Sequence, residues 1–120
     1  MNNLGAAAFA FGDLKKAREC FDEALATAIE LGEKINTRLI FDGYGALAAE
    51  SRDFDVAGKL SGFAETLGAS IGYAPEPAES RFRTAYVEKI KAALGDAEYN
   101  NAYIAGLKLS LDDAIKLTHL

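Results

Sequence analysis

Few side chains in this 120-residue sequence could act on a substrate. His119 is the only histidine, one residue from the last position. A general base or metal ligand there would hang on a fraying end, so it reads as a surface side chain. Cys20 is the only cysteine and cannot form an internal disulfide. With no histidine placed to take its proton, it reads as a small core residue beside Phe21 and not as a nucleophile. Acidic residues gather at Glu19, Asp22 and Glu23, and again at Asp112-Asp113. A metal site would need these oxygens to converge with other ligands. Their spacing instead puts the first group on a solvated helical face and the second at a helix start, where the dipole favours negative charge. Gly43 and Gly45 flank Tyr44 without making the GxGxxG of a phosphate loop, and no GxxxxGK[ST] run occurs. The side chains thus point to no catalytic residue, no cofactor and no metal. Tyr73, Tyr86, Tyr99 and Tyr103 crowd the second half. They read mainly as packing residues, with the capacity to line a binding surface.

Charge narrows the partners. Thirteen Lys and Arg against eighteen Asp and Glu give a net charge of −5. Basic residues are scattered and sit beside acids, as Lys15, Lys16 and Arg18 do beside Glu19. Nucleic acid requires clustered cations that displace counterions, and an anionic membrane surface is disfavoured for the same reason. No apolar run approaches the roughly 20 residues that cross a bilayer. The first residues lack the charged and apolar regions of a secretory signal, so a cytoplasmic protein is expected.

The elements that must position any site are helical. Half the residues are hydrophobic, and the apolar set is rich in Ala and Leu. Leu14, Ala17, Phe21, Ala24, Ala28 and Leu31 step by three and four, and so do Phe54, Ala57, Leu60, Ala64, Leu67 and Ile71. Asp13 and Asp53 precede these stripes as caps, and Gly32 and Gly72 follow them. The pattern predicts helices over about 2–11, 14–31, 34–51, 54–71, 78–94, 97–107 and 111–118. Short connections make neighbours antiparallel. The one evident linker is Gly72 to Pro77, which holds both prolines. Ser110 opens the last helix as a capping-box variant, with Asp113 placed to reach back to the Ser110 amide.

A shift of 40 residues aligns Gly5 with Gly45, Ala6 with Ala46, Ala8 with Ala48, Asp13 with Asp53, Ala17 with Ala57, Ala24 with Ala64 and Gly32 with Gly72. The run Asn3-Leu4-Gly5-x-x-Ala8, Gly12-Asp13, Ala17, Phe21 and Ala24 resembles a tetratricopeptide repeat. Tyr44-Gly45-x-x-Ala48, Asp53, Ala57 and Ala64 resemble a second, which departs at Ser61, where an aromatic is usual, and at Arg52, where Gly is common. The tail, with Tyr86, Leu94-Gly95, Tyr99-x3-Tyr103-x2-Gly106 and Leu109-Ser110-Leu111-x-x-Ala114, is similar to the carboxy-terminal end of large bacterial signalling ATPases of the STAND class, LuxR-type regulators among them.

The resemblance implies an all-α, right-handed α-solenoid: one domain over 1–120, with repeat one at 1–33, repeat two at 34–72 and capping helices at 78–120. It implies a concave groove faced by Asn2, Ala6 and Phe9 from the first unit and by Asp42, Ala46, Ala49 and Glu50 from the second. It implies a non-catalytic protein-interaction scaffold that binds a protein, a peptide or other domains of a regulatory or signalling chain. Asp42 and Glu50 would favour a basic or apolar partner over an acidic one. Two alternatives stand beside it. One is a homodimer through residues 1–31, where Leu4, Ala7, Ala8 and Phe11 present apolar surface with no polar cap. The other is a small-molecule sensor with a pocket near the tyrosines.

Overall fold

The computed structural model describes residues 3–119. Seven helices follow one another, with no strand among the described residues: α1 (Asn3–Ala10), α2 (Leu14–Leu31), α3 (Lys34–Glu50), α4 (Phe54–Ser70), α5 (Pro77–Leu94), α6 (Asp96–Leu107) and α7 (Leu111–Leu117). No helix among these residues is long and apolar enough to cross a membrane.

The 40-residue repeat is visible in the backbone. Asp13 N–H bonds the Ala8 carbonyl at 2.9 Å and Asp53 N–H bonds that of Ala48 at 2.8 Å. At the far ends, Glu33 N–H reaches the Ala28 carbonyl at 2.8 Å and Tyr73 N–H that of Gly68 at 2.9 Å. Gly32 and Gly72 both take left-handed φ, +69° and +63°, a region open to glycine because it has no Cβ. Ala17 and Ala57, also 40 apart, are both completely buried. The turns differ at one residue. Gly12 has φ +83° in the first, and its counterpart Arg52 has φ +64° in the second.

The caps are less alike. The Asp13 carboxylate accepts the Lys16 amide at 3.1 Å, whereas Asp53 makes no such bond. At α7 the Ser110 hydroxyl accepts the Asp113 amide at 3.1 Å. α5 starts on Pro77, with the Glu79 carboxylate accepting the Glu76 amide at 3.0 Å, a cap the sequence reading passes over.

The main core lies between α2, α3 and α4, around Phe21, Ile40, Phe41, Tyr44, Leu60 and Phe63. Phe41 packs edge-on to Phe63 with ring centroids 4.9 Å apart. In α2, Leu25 is buried and Leu31, an expected stripe residue, is exposed. α4 is buried on more than one face, because α3 covers one side and α6 another. The α4–α6 contact is made by backbone. A Cβ on Gly62 would fall on the Tyr103 carbonyl oxygen, and one on Gly106 on that of Lys59. Gly58 meets Ala102, Gly62 meets Tyr103, and the Thr66 hydroxyl donates to the Leu107 carbonyl at 3.0 Å. Both numberings climb together, so α4 and α6 run parallel, and α5 is the crossover between them.

Candidate functional site

The sequence-predicted groove residues can now be placed. Phe9 of α1 and Ala46, Ala49 and Glu50 of α3 line one cleft of about 350 Å³, open mouth included. Residues 42, 46, 49 and 50 fall on one face of α3, because that spacing covers two helical turns. Asp42 lies on the same face, buried at 3% exposure. Ala6 is exposed on α1, and Asn2 lies outside the described residues.

The opposite wall of the cleft is α5, which contributes Phe82, Ala85, Tyr86 and Lys89. The groove that the resemblance leaves open is therefore covered in this structure by a helix of the same chain. α5 runs parallel to α3: Arg83 meets Asp42, Tyr86 lies over Gly45, and Lys89 meets Glu50. A Cβ on Gly45 would stand 2.8 Å from the Tyr86 ring, so only glycine lets the helices come this close. α5 also reaches α1, where Phe82 packs edge-on to Phe9 with ring centroids 5.7 Å apart.

Polar chemistry concentrates at Asp42. Its Oδ1 accepts from Arg83 Nη1 and from the Tyr86 hydroxyl, each at 2.5 Å. Its Oδ2 lies 3.2 Å from Arg38 Nη1, one turn earlier on α3. That second contact is an ion pair without hydrogen-bond alignment, and Arg38 Nε also has no acceptor. Arg83 Nη2 donates to the Ser61 carbonyl at 2.7 Å and lies 3.5 Å from Glu65. One buried carboxylate thus stands between two guanidiniums, a set that only mutual pairing makes tolerable in a low-dielectric core. Burial raises the Tyr86 phenol far above its ordinary value, and the Asp42 charge beside it acts in the same direction. Burial would lower Arg83, but the facing Tyr86, Asp42 and Glu65 outweigh it and raise the group. Both groups are fixed in their donor forms, which suits holding a carboxylate and not exchanging protons.

The linker secures the entrance to α5. The Tyr73 hydroxyl donates to the Glu79 carboxylate, and this hydrogen bond first, then burial, pushes the phenol up to about 12. The Arg38 guanidinium stacks on the Tyr73 ring at 5.5 Å from its centroid. Among the other tyrosines, Tyr99 is buried and shares a 3.0 Å hydrogen bond with Ser61, so it braces α6 against α4.

Arg83 and Lys89 are the site residues that the sequence reading misses. Their signal was present: a basic pair on one helix with a spacing close to that of the acidic pair Asp42 and Glu50 on another. Alternating antiparallel neighbours give α5 the direction of α3, but nothing local told it to lie along α3.

Of the residues considered for chemistry, Cys20 is half-buried and free, and His119 is exposed. No group of three or more potential metal ligands occurs among the described residues. Compared with known proteins, the chain matches no family model, no curated protein and no solved structure.

Proposed function

We propose that this chain is a non-catalytic binding module of the tetratricopeptide type, in which the face of α1 and α3 receives a peptide or helix from a partner. One observation carries the reading: Phe9, Ala46, Ala49 and Glu50, from the first helices of the two hairpins, line a single cleft with an alanine floor, whose far wall is α5. Such a surface gives contact area at low entropic cost and accepts apolar side chains. Asp42 and Glu50 bias the face towards a basic partner, since acidic tails need converging Lys, Arg or Asn donors. A right-handed solenoid, a place in a larger bacterial signalling protein and a cytoplasmic setting belong to the same proposal. Amide chemical shifts of the labelled chain, titrated with basic amphipathic, apolar and acidic peptides, provide the test. Perturbations from the basic peptide, clustered in α1 and α3, are expected. Silence from all three peptides, or shifts confined to the outer faces of α2 and α4, would overturn it.

Self-association has separate support. Phe11 is 89% exposed and Leu31 64%, and Ile29 and Ile35 accompany Leu31 at the α2–α3 corner. Apolar groups of this size left in water favour a second copy as cover. Sedimentation over a range of concentrations would show a dimer that Leu31→Glu dissociates; a monomer throughout removes this reading.

A further inference from the structure

α5 lies in the angle between α3 and α4, and the side it turns to α3 and Phe9 meets them as a bound helix would. It presents Phe82, Arg83, Tyr86 and Lys89 along one side, the i, i+1, i+4, i+7 pattern of a groove-bound helix. Each acid of the face meets a base of α5: Arg83 Nη1 on Asp42 at 2.5 Å, Lys89 Nζ on Glu50 at 2.8 Å. Its anchorage is narrow: Tyr86 and Ile90 join Ala46, Ala49, Ala57 and Tyr99 in a small second core. Of its 18 residues only Tyr86 and Ile90 are buried. Its contacts with α3, α4 and α6 are each far smaller than the α4–α6 joint. A cleft of about 100 Å³, open mouth excluded, runs along its seam with α1 and α3. The segment before it is clamped by the Tyr73–Glu79 hydrogen bond, and Gly95 at φ +86° follows it.

Building on the binding-module reading, we infer that α5 is a displaceable in-cis occupant of the α1/α3 groove, and that the partner is a basic amphipathic helix that brings an arginine to Asp42, a lysine six positions later to Glu50 and aromatic side chains to the alanine floor. The chain thereby masks its own site until a helix of better fit arrives. Asp42 sets the specificity. A competitor without a cation for it would leave a buried carboxylate facing only Arg38, a loss that apolar contacts do not replace.

A fluorescent peptide with the sequence of residues 77–94 serves as the probe, titrated against the full chain and against full-chain Arg83→Ala and Lys89→Glu variants. A second peptide carries glutamate in place of both bases. Affinity for the first peptide should rise at least tenfold in Arg83→Ala and by a smaller factor in Lys89→Glu, which lies at the exposed rim and leaves the core untouched. The acidic peptide should bind no form. Hydrogen exchange on the unmodified chain gives an independent reading: α5 amides should exchange well ahead of those in α4 and α6. Equal affinity for all three proteins, an equal gain for the acidic peptide, or α5 protection matching α4 would each overturn the in-cis occupant. Equal affinity with shifts on α1 and α3 would leave the binding module standing; no binding to any form would discard both.

Discussion

The Tyr86 phenol donates to Asp42 Oδ1 at 2.5 Å across 44 positions of sequence. Arg83 shares that oxygen, and Arg38 approaches the other. Removing the carboxylate leaves two guanidiniums facing each other with little water. Asp42→Ala should therefore cost about 3–5 kcal/mol, the range for breaking a buried ion pair from one side. Tyr86→Phe deletes one hydrogen bond to a charged group and should cost about 1.5–3 kcal/mol. Urea denaturation of both variants gives the ranking; a Tyr86→Phe loss larger than that of Asp42→Ala would show that the cluster is held by the phenol.

Stability should fall above pH 10. Burial, first of all, raises Tyr44 and Tyr86 far above the ordinary value of 10.0, and each phenol donates to a carboxylate, Asp22 or Asp42. Their contribution is complete below pH 10. Above it the unfolded chain sheds these protons while the folded chain keeps them, so the folded state loses about 1.4 kcal/mol per pH unit for each tyrosine. Melting temperature followed from pH 8 to 11 should be flat and then drop. Tyr44→Phe should reduce the slope above pH 10.

Arg52→Gly should stabilise the protein. Arg52 holds φ +64° where the first repeat has Gly12 at φ +83°. A side chain in that conformation costs about 1–2 kcal/mol, partly offset by the greater freedom glycine gains when unfolded. The guanidinium lies 5.8 Å from the Phe54 ring centroid, a contact at the surface that returns little. A net gain of up to about 1 kcal/mol by chemical denaturation is expected, and a loss would show that the stack on Phe54 governs the turn.

Helix starts, helix ends and the repeat were legible in the sequence because capping and periodicity act over a few residues. Leu14–Leu31 and Phe54–Ser70 begin where Asp13 and Asp53 predict. The face of α3 was legible too, because residues 42, 46, 49 and 50 share a helical side whatever packs on it. The helix that covers it was not. Whether α5 lies along α3 or stacks beyond α4 is set by Arg83, Tyr86 and Lys89 finding partners 39 to 44 positions away. The parallel α4–α6 joint was hidden for a similar reason. The value of Gly62 and Gly106 appears only when two backbones meet.

That joint yields a fourth prediction. Alanine in place of glycine inside a helix ordinarily helps by about 0.5–1 kcal/mol. At Gly62 or Gly106 the added methyl meets a carbonyl group of the facing helix. Gly62→Ala should instead destabilise by about 1–3 kcal/mol, as Ala57→Leu should by overpacking a completely buried site. His119→Ala, at an exposed position, should stay within about 0.5 kcal/mol. A thermal melt that ranks His119→Ala worst of the three would contradict this map of the core.

α5 is a crossover, tied to α4 at one end and to α6 at the other. A strap fastened at both ends can bow outward but cannot leave. Once lifted it stays beside its groove at an effective concentration on the order of millimolar, as short tethers impose. If α5 is the in-cis occupant proposed above, an incoming helix competes against a neighbour that never dilutes, and its apparent affinity is lower than its intrinsic one by the fraction of time the groove stands open. On the same proposal, release of a bound helix would be self-driven, since the groove refills without any search through solution. With α5 as that in-cis occupant, the apparent affinity is tuned by the length and stiffness of residues 71–76, which reach Asp42 only through Tyr73 and Arg38.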